Sequence, residues 1–264
     1  MEPWRGNSAD AAVDVYITTH NHDKFIGECL DSVTNQRFRH KFNIYIYDDH
    51  SSKRNVFWKF KDAGFDVELG RVNLGVSKVR NHCYQTKGCA PLVLFVDGDD
   101  KLDVDFLEKA WRRMQIGKAD VVYPKAAIFT DSGMSPHGHI PQSDYDKMSL
   151  FRSNYIPVTA LMKREDLAGV GGFDEDMNIG YQDWELWIRL AILEKSFIFE
   201  REAILYYRHH AGSMSHDANK RLDEVTTYIY NKHYDLYYNI LKPKIFRVGE
   251  DDEIISEELV LLPA

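Results

Sequence analysis

The sequence predicts an α/β protein whose mostly parallel sheet carries helices on both faces. Short runs rich in β-branched and aromatic residues alternate with stretches of helical spacing, the pattern of a parallel sheet with crossover helices. Three polar clusters each follow directly on such a run, where open sheets place their ligands. The chain is also long enough for one large core: 264 residues, 44% hydrophobic and 28% charged, with 8 Pro and 16 Gly, excluding disordered and collagen-like architectures.

The strands are expected at Val13–Thr18, Phe42–Tyr47, Phe65–Leu69 and Pro91–Val96, all short and β-rich. Between them the spacing predicts helices over Lys24–Gln36, Lys53–Ala63 and Val76–Thr86, with Asp23 and Ser52 as N-caps of the first two. A helix around Asp105–Ile116 leads to a fifth strand at Asp120–Tyr123. Beyond Tyr123 the pattern is less regular. A loop with Gly133, Pro136, Gly138 and Pro141 precedes a strand near Pro157–Met162. A helix over Asp183–Glu194, strands at Phe197–Phe199 and Ala203–Arg208, and a long helix over Asn219–Tyr238 complete the chain. No internal repeat or linker divides it. The expected division is an N-terminal extension (1–12), a main domain (13–215) with a ligand-binding half (13–123) and a specificity half (124–215), a helical extension (216–248) and an acidic tail (249–264).

The net charge is −8, so the molecule as a whole does not attract nucleic acid. Six acids, Glu250, Asp251, Asp252, Glu253, Glu257 and Glu258, sit in one C-terminal stretch without a base, which reads as a solvated tail. Cys29, Cys83 and Cys89 are odd in number and match no zinc spacing, so free thiols in a reducing, cytoplasmic compartment are expected. No basic start leads into an apolar run, and no apolar stretch is long enough to span a bilayer. The helix bearing Tyr228, Tyr230, Tyr234, Tyr237 and Tyr238 is read as capping the core, with a partner surface or peripheral contact at the cytoplasmic membrane face as the alternative.

The clusters are Thr19–Asp23 (THNHD), Asp48–Ser52 (DDHSS) and Asp97–Asp100 (DGDD). DGDD crowds carboxylates into one turn, an arrangement that repels itself unless a hard divalent cation, Mg²⁺ or Mn²⁺, neutralises it. The alternative is a solvated helix start. An EF-hand beginning at Asp97 fails because Lys101 and Leu102 replace an acidic ligand and the required Gly. No GxxxxGK[ST] loop exists and no GxGxxG follows the first strand, so nucleotide phosphates would have to be held through a metal.

In this order the motifs resemble the family 2 glycosyltransferases of GT-A fold, a Rossmann-like α/β architecture with a smaller mixed acceptor-side region, over Val13–Ser215. The carriers are VDVYITTHN, YDDHSS, NLGVSKVRN, VDGDD, GGFDE, QDWELWIRL and YRHHAGSMS. The resemblance implies a nucleotide site in which Thr18, His20 and Asn73 border the nucleotide, Asp49 accepts from the imide of a uracil, Asp48 supports Asp49, and Arg80 and Asn81 close the pocket. Arg80 is equally readable as a structural partner of the strand-end carboxylates. Asp99 would bind the Mn²⁺ or Mg²⁺ directly, Asp97 would act nearby through ribose or water, and His210, with His209 beside it, would hold diphosphate or metal.

Asp183 matches the family's general base, which alone suffices for inverting transfer because a single displacement needs one proton acceptor. The family more often has Glu at Gln182. Asp183 also reads as a helix cap, and Trp184 as core at helical spacing or as a sugar platform. Gly171, Gly172 and Phe173 would shape the loop that brings the base to the donor. The expected activity is metal-dependent, inverting transfer from a nucleotide sugar, UDP-linked, to a hydroxyl of a glycan or glycoconjugate. Acceptor contacts are expected from Thr130–Tyr145, with His137 and His139, and from the segment after Gly180. A sugar-nucleotide nucleotidyltransferase and a non-catalytic sugar-binding module are the competing readings. The sugar, the acceptor and the oligomeric state stay open.

Overall fold

The computed structural model describes residues 4, 6–130, 133–140, 142–210, 220–240, 245–248 and 254–258. Strands β1 (Val13–Thr19), β2 (Phe42–Asp48), β3 (Asp66–Leu69) and β4 (Leu92–Asp97) form the parallel part of the sheet, in spatial order β3-β2-β1-β4. Every residue of β1 and β2 is buried, as expected of strands covered on both sides. Helices α1 (Ile26–Thr34), α2 (Asn55–Asp62), α3 (Val76–Thr86) and α4 (Phe106–Gly117) connect and follow these strands. Side-chain alternation sends Val13, Val15 and Ile17 into one core with Ile26, Leu30, Phe57, Phe106 and Leu107. Tyr16 faces the other way and packs on Tyr45 and Phe95, with Phe173 edge-on to Phe95.

The sheet continues as β8-β6-β9-β5, with β7 pairing β6. These are β5 (Lys101–Leu102), β6 (Val121–Thr130), β7 (Gly133–His139), β8 (Leu161–Lys163) and β9 (Phe197–Arg208). β8 is antiparallel to both neighbours, while β6 and β9 run parallel. Helices α5 (Lys147–Arg152), α6 (Arg164–Gly169) and α7 (Gln182–Ile192) lie among them in the chain.

Several expectations are corrected. Asp23 and Ser52 cap nothing: α1 and α2 begin after Phe25 and Arg54, without side-chain caps. Ser52 instead donates through its amide and hydroxyl to Asn21 Oδ1, so its oxygen is committed elsewhere. The loop expected from Thr130 contains the hairpin strand β7. The strand near Pro157 starts only at Leu161. The two strands expected between Phe197 and Arg208 are one, in which Glu200 pairs with Pro124 and Ile204 with the next residue, Lys125. Residues 201–203 bulge where Pro124 has no N–H to offer the ladder.

The chain divides into two compact units, Met1–Ser213 and Met214–Ala264. In the second, the long helix expected over Asn219–Tyr238 is two helices, α8 (Leu222–Lys232) and α9 (Tyr234–Ile240), parted at His233. Val225 and Ile229 are buried, whereas Tyr230, Tyr234 and Tyr238 are exposed. Within the stretch read as a tail, β11 (Ile254–Glu258) pairs antiparallel with β10 (Ile245–Val248). Glu250–Glu253 lie outside the described residues. Among the described residues no helix is long and apolar enough to cross a membrane.

Candidate functional site

The parallel register brings the three clusters to one edge. Thr18 lies opposite Asp97 on one side and Tyr47 on the other, and Thr19 lies opposite Asp48. The turn after β1 is stitched to the turn after β2: Asn21 donates its amide to Ser51 Oγ and accepts from Ser52. Asn21 and His50 both adopt left-handed backbone there, at φ of 59° and 61°. Gly98 is required by close approach, since a Cβ would stand 2.7 Å from Thr19 Cβ.

Asp48 is fully buried and accepts from Arg54 Nε at 2.7 Å, an anchor for the turn. Asp49 accepts from the amides of Leu74 and Gly75 at 2.7 and 2.9 Å, one on each oxygen, so it orders the loop after β3. Its carbonyl meets His20 Nδ1 at 2.6 Å, with Asn73 Nδ2 near the same imidazole. His20 and Asn73 are exposed at this rim.

Asp97 Oδ1 accepts from Arg80 at 2.7 Å and from Thr18 at 3.4 Å. Arg80 is buried and lies over the Phe173 ring, and its Nε has no partner. Asn81 clamps the Gly-Gly-Phe-Asp loop: it accepts from Phe173 N and donates to Phe173 O and to Glu175, each within 2.9 Å. Gly172, at φ 81°, permits this clamp, because a Cβ would collide with Asn81 Oδ1.

Asp99 faces two imidazoles. His210 Nε2 lies 3.0 Å from Oδ2, and His22 Nδ1 lies 3.6 Å from Oδ1. Arg208 fixes the register of this corner: its amide donates to Asp100 Oδ1 and its Nε to the Asp99 carbonyl, both at 2.8 Å. Burial, reinforced by Asp99 and Asp97, pushes the Asp100 carboxyl well up.

Asp183 is the second residue of α7, which starts at Gln182 after Tyr181 in left-handed backbone at φ 57°, so Tyr181 and not Asp183 takes the cap position. Its Oδ1 accepts from the Trp184 amide at 2.8 Å and from Asn154 Nδ2 at 3.1 Å. Burial pushes its carboxyl up to about 6, against the lowering effect of Arg80 and with a small addition from Asp97. Trp184 is core, its indole N–H bonded to Leu150 O. Gln182 is buried and donates to Met177 O.

The sequence assigned no role to His22 or Asn154, nor to Arg208, which lies in the YRHHAGSMS motif. His22 had a signal, being the second histidine of THNHD, whereas Asn154 lies in a stretch without a motif. The side chains of His137 and His139 lie outside the described residues.

The family model described as "Glycosyl transferase family 2" matches residues 14–169, more than half of the chain. The chain belongs to glycosyltransferase family 2. A second model, "Glycosyltransferase like family 2", matches residues 143–238. An N-acetylglucosaminyltransferase of Rhizobium sp. (strain N33) is 34% identical over 116 residues, 42% of this chain and 26% of that protein. The glycosyltransferase GlyA of Streptococcus pneumoniae serotype 4 is 23% identical over 224 residues, 78% of this chain and 32% of that one. This family 2 chain thus spans about a quarter to a third of the length of these relatives. In fold it is similar to S. aureus TarS 1–349 solved with UDP-GlcNAc, at a TM-score of 0.64 and 22% identity, covering 77% of this chain and 60% of that one. That likeness shows the GT-A fold.

Proposed function

We propose that this chain is an inverting, UDP-sugar-dependent transferase that passes N-acetylglucosamine to a hydroxyl of a glycan or glycoconjugate. The observation that carries the reading is Asp183: a carboxylate in the first turn of α7 whose Oδ1 is held by the Trp184 amide and Asn154, with burial raising it to about 6. One Asp183 oxygen takes both hydrogen bonds, so Oδ2 is left to accept the acceptor's proton. His20 and Asn73 would border the nucleotide, Asp49 would hold the loop that shapes its base site, and Arg80 would offer its unpartnered Nε to the diphosphate. The sugar assignment is supported by several relatives that are N-acetylglucosaminyltransferases and by the ligand of the TarS structure.

A divalent cation fits the same corner, because His22 Nδ1 is buried without a hydrogen-bond partner and points at Asp99. Asp99 and His210 would hold it, with Asp97 close by. Bound there, it would neutralise charge on the leaving diphosphate. The unbridged thiols Cys29, Cys83 and Cys89 fit a reducing cytoplasmic compartment, which belongs to the same proposal. Nucleotide-sugar hydrolysis with and without Mn²⁺, together with melting-temperature shifts across nucleotides, tests the reading. Hydrolysis and stabilisation confined to UDP-N-acetylglucosamine are expected, and stabilisation by guanosine or cytidine diphosphate instead would overturn the donor assignment.

A further inference from the structure

We infer that the turn after β1 supplies a metal ligand of its own, His22, which turns the cation site into a two-imidazole, one-carboxylate set selecting a first-row transition ion over Mg²⁺. His22 Nδ1, an Asp99 oxygen and a His210 nitrogen lie within 4.8 Å of one another. Ligands bonded to one ion at about 2.1 Å stand roughly 3.0–3.5 Å apart at right or tetrahedral angles. The two measured pairs, 3.0 Å for His210 with Asp99 and 3.6 Å for His22 with Asp99, approach that spacing.

The set is held in advance. His22 follows Asn21, whose left-handed backbone is pinned by Ser51 and Ser52. His210 follows Arg208, which is bonded to the Asp99 carbonyl and the Asp100 carboxylate. Phe25 separates the two supports, packing 4.9 Å from the His210 ring and 4.4 Å from the Arg208 guanidinium, while the imidazoles meet edge to face at 5.9 Å. Asp97, the other carboxylate expected to serve the ion, spends Oδ1 on Arg80 and Thr18.

The donor chemistry then decides the metal. An oxygen-only corner suits Mg²⁺, which gives up water reluctantly, whereas two neutral imidazoles favour ions further along the Irving–Williams order, Co²⁺ above Mn²⁺ and both above Mg²⁺. The inference rests on the glycosyl-transfer reading only for what the ion serves, because ion binding is measured without any sugar.

The test uses the full chain, stripped by a chelator and titrated calorimetrically with Co²⁺, Mn²⁺ and Mg²⁺ alone. Binding in the order Co²⁺, Mn²⁺, Mg²⁺ is expected, with His22→Gln weakening Co²⁺ by at least about tenfold at an unchanged melting temperature. Equal affinity for Co²⁺ and Mg²⁺, or a His22→Gln protein that binds Co²⁺ as the wild type does, overturns the inference. Should the variant fail to fold, pulsed electron paramagnetic resonance of the Mn²⁺-loaded wild type decides: two coupled imidazole nitrogens support His22 as a ligand, and one or none overturns it. Nucleotide-sugar turnover is assayed separately. The expected ion binding without turnover would remove the transferase reading and leave the ligand set standing, and turnover with a single imidazole on the ion would do the reverse.

Discussion

Asp183 is where chemistry and stability pull in opposite directions. Its carboxyl ordinarily ionises at 3.8 and is raised to about 6 in the fold, so in its proposed role as general base it would work only above that pH. Turnover is expected to fall about tenfold per pH unit below 6, measured as kcat over pH 4.5–8. Asp183→Asn is expected to lower kcat by about 10²–10⁴-fold with the UDP Kd nearly unchanged, which rate assays and calorimetry check together. The sign for stability is opposite: a raised carboxylate favours the fold below 3.8, and that contribution is lost as pH rises through 6. The Asn variant should therefore melt higher than wild type above about pH 6 and lose that advantage in acid. Arg80 lowers this same carboxyl, so Arg80→Met should move the acidic limb of the kcat profile to higher pH.

At the scale of elements, the loop Gly171–Glu175 depends on one side chain from another segment. Asn81 on α3 makes three hydrogen bonds to it, two of them to the Phe173 backbone. Asn81→Ala leaves those groups unpaired, a cost of about 1–3 kcal/mol, read as a lower urea midpoint together with reduced turnover. The motif was legible in the sequence, and its mechanism was not. NLGVSKVRN and GGFDE stand far apart in the chain, and nothing in their spacing says that the Asn of one clamps the Phe of the other. The same holds for Asp49, whose acidic pair was recognisable but whose bonds to Leu74 and Gly75 depend on loop geometry. Strand periodicity fixed β1, β2 and β4 well. It failed at the hairpin β6–β7, where Gly and Pro mimic a loop, and at β9, where a bulge mimics a break.

For the molecule as a whole, the two ends of the parallel sheet have different work. The carboxyl edge gathers the polar clusters, while the opposite edge holds a buried network that the sequence reading passed over inside an apolar strand. Asp14 accepts from Asn43 Nδ2 at 2.6 Å and from the Ala90 amide at 2.8 Å, and it pairs with Arg164, which also reaches Tyr16. Asp14→Ala should destabilise the fold by about 1–3 kcal/mol, by leaving the partly buried Arg164 guanidinium, the Asn43 amide and the Ala90 N–H without their acceptor, and denaturant melts measure it. The UDP Kd of the folded fraction should not move.

The helix that carries Asp183 in its first turn is fastened from beneath by two indoles. Trp184 and Trp187 donate to Leu150 O and Ile156 O, the two sides of the segment that presents Asn154 to Asp183. The proposed proton acceptor, its amide escort and their footing thus form one prefabricated block, which includes the segment after Gly180 expected to meet acceptors, while the other such segment, Thr130–Tyr145, contains the hairpin strand β7. On the proposed role of Asp183, rewriting that hairpin should change the acceptor without retuning the reaction, so lineages built on this scaffold should diversify in what they decorate faster than in how they do it.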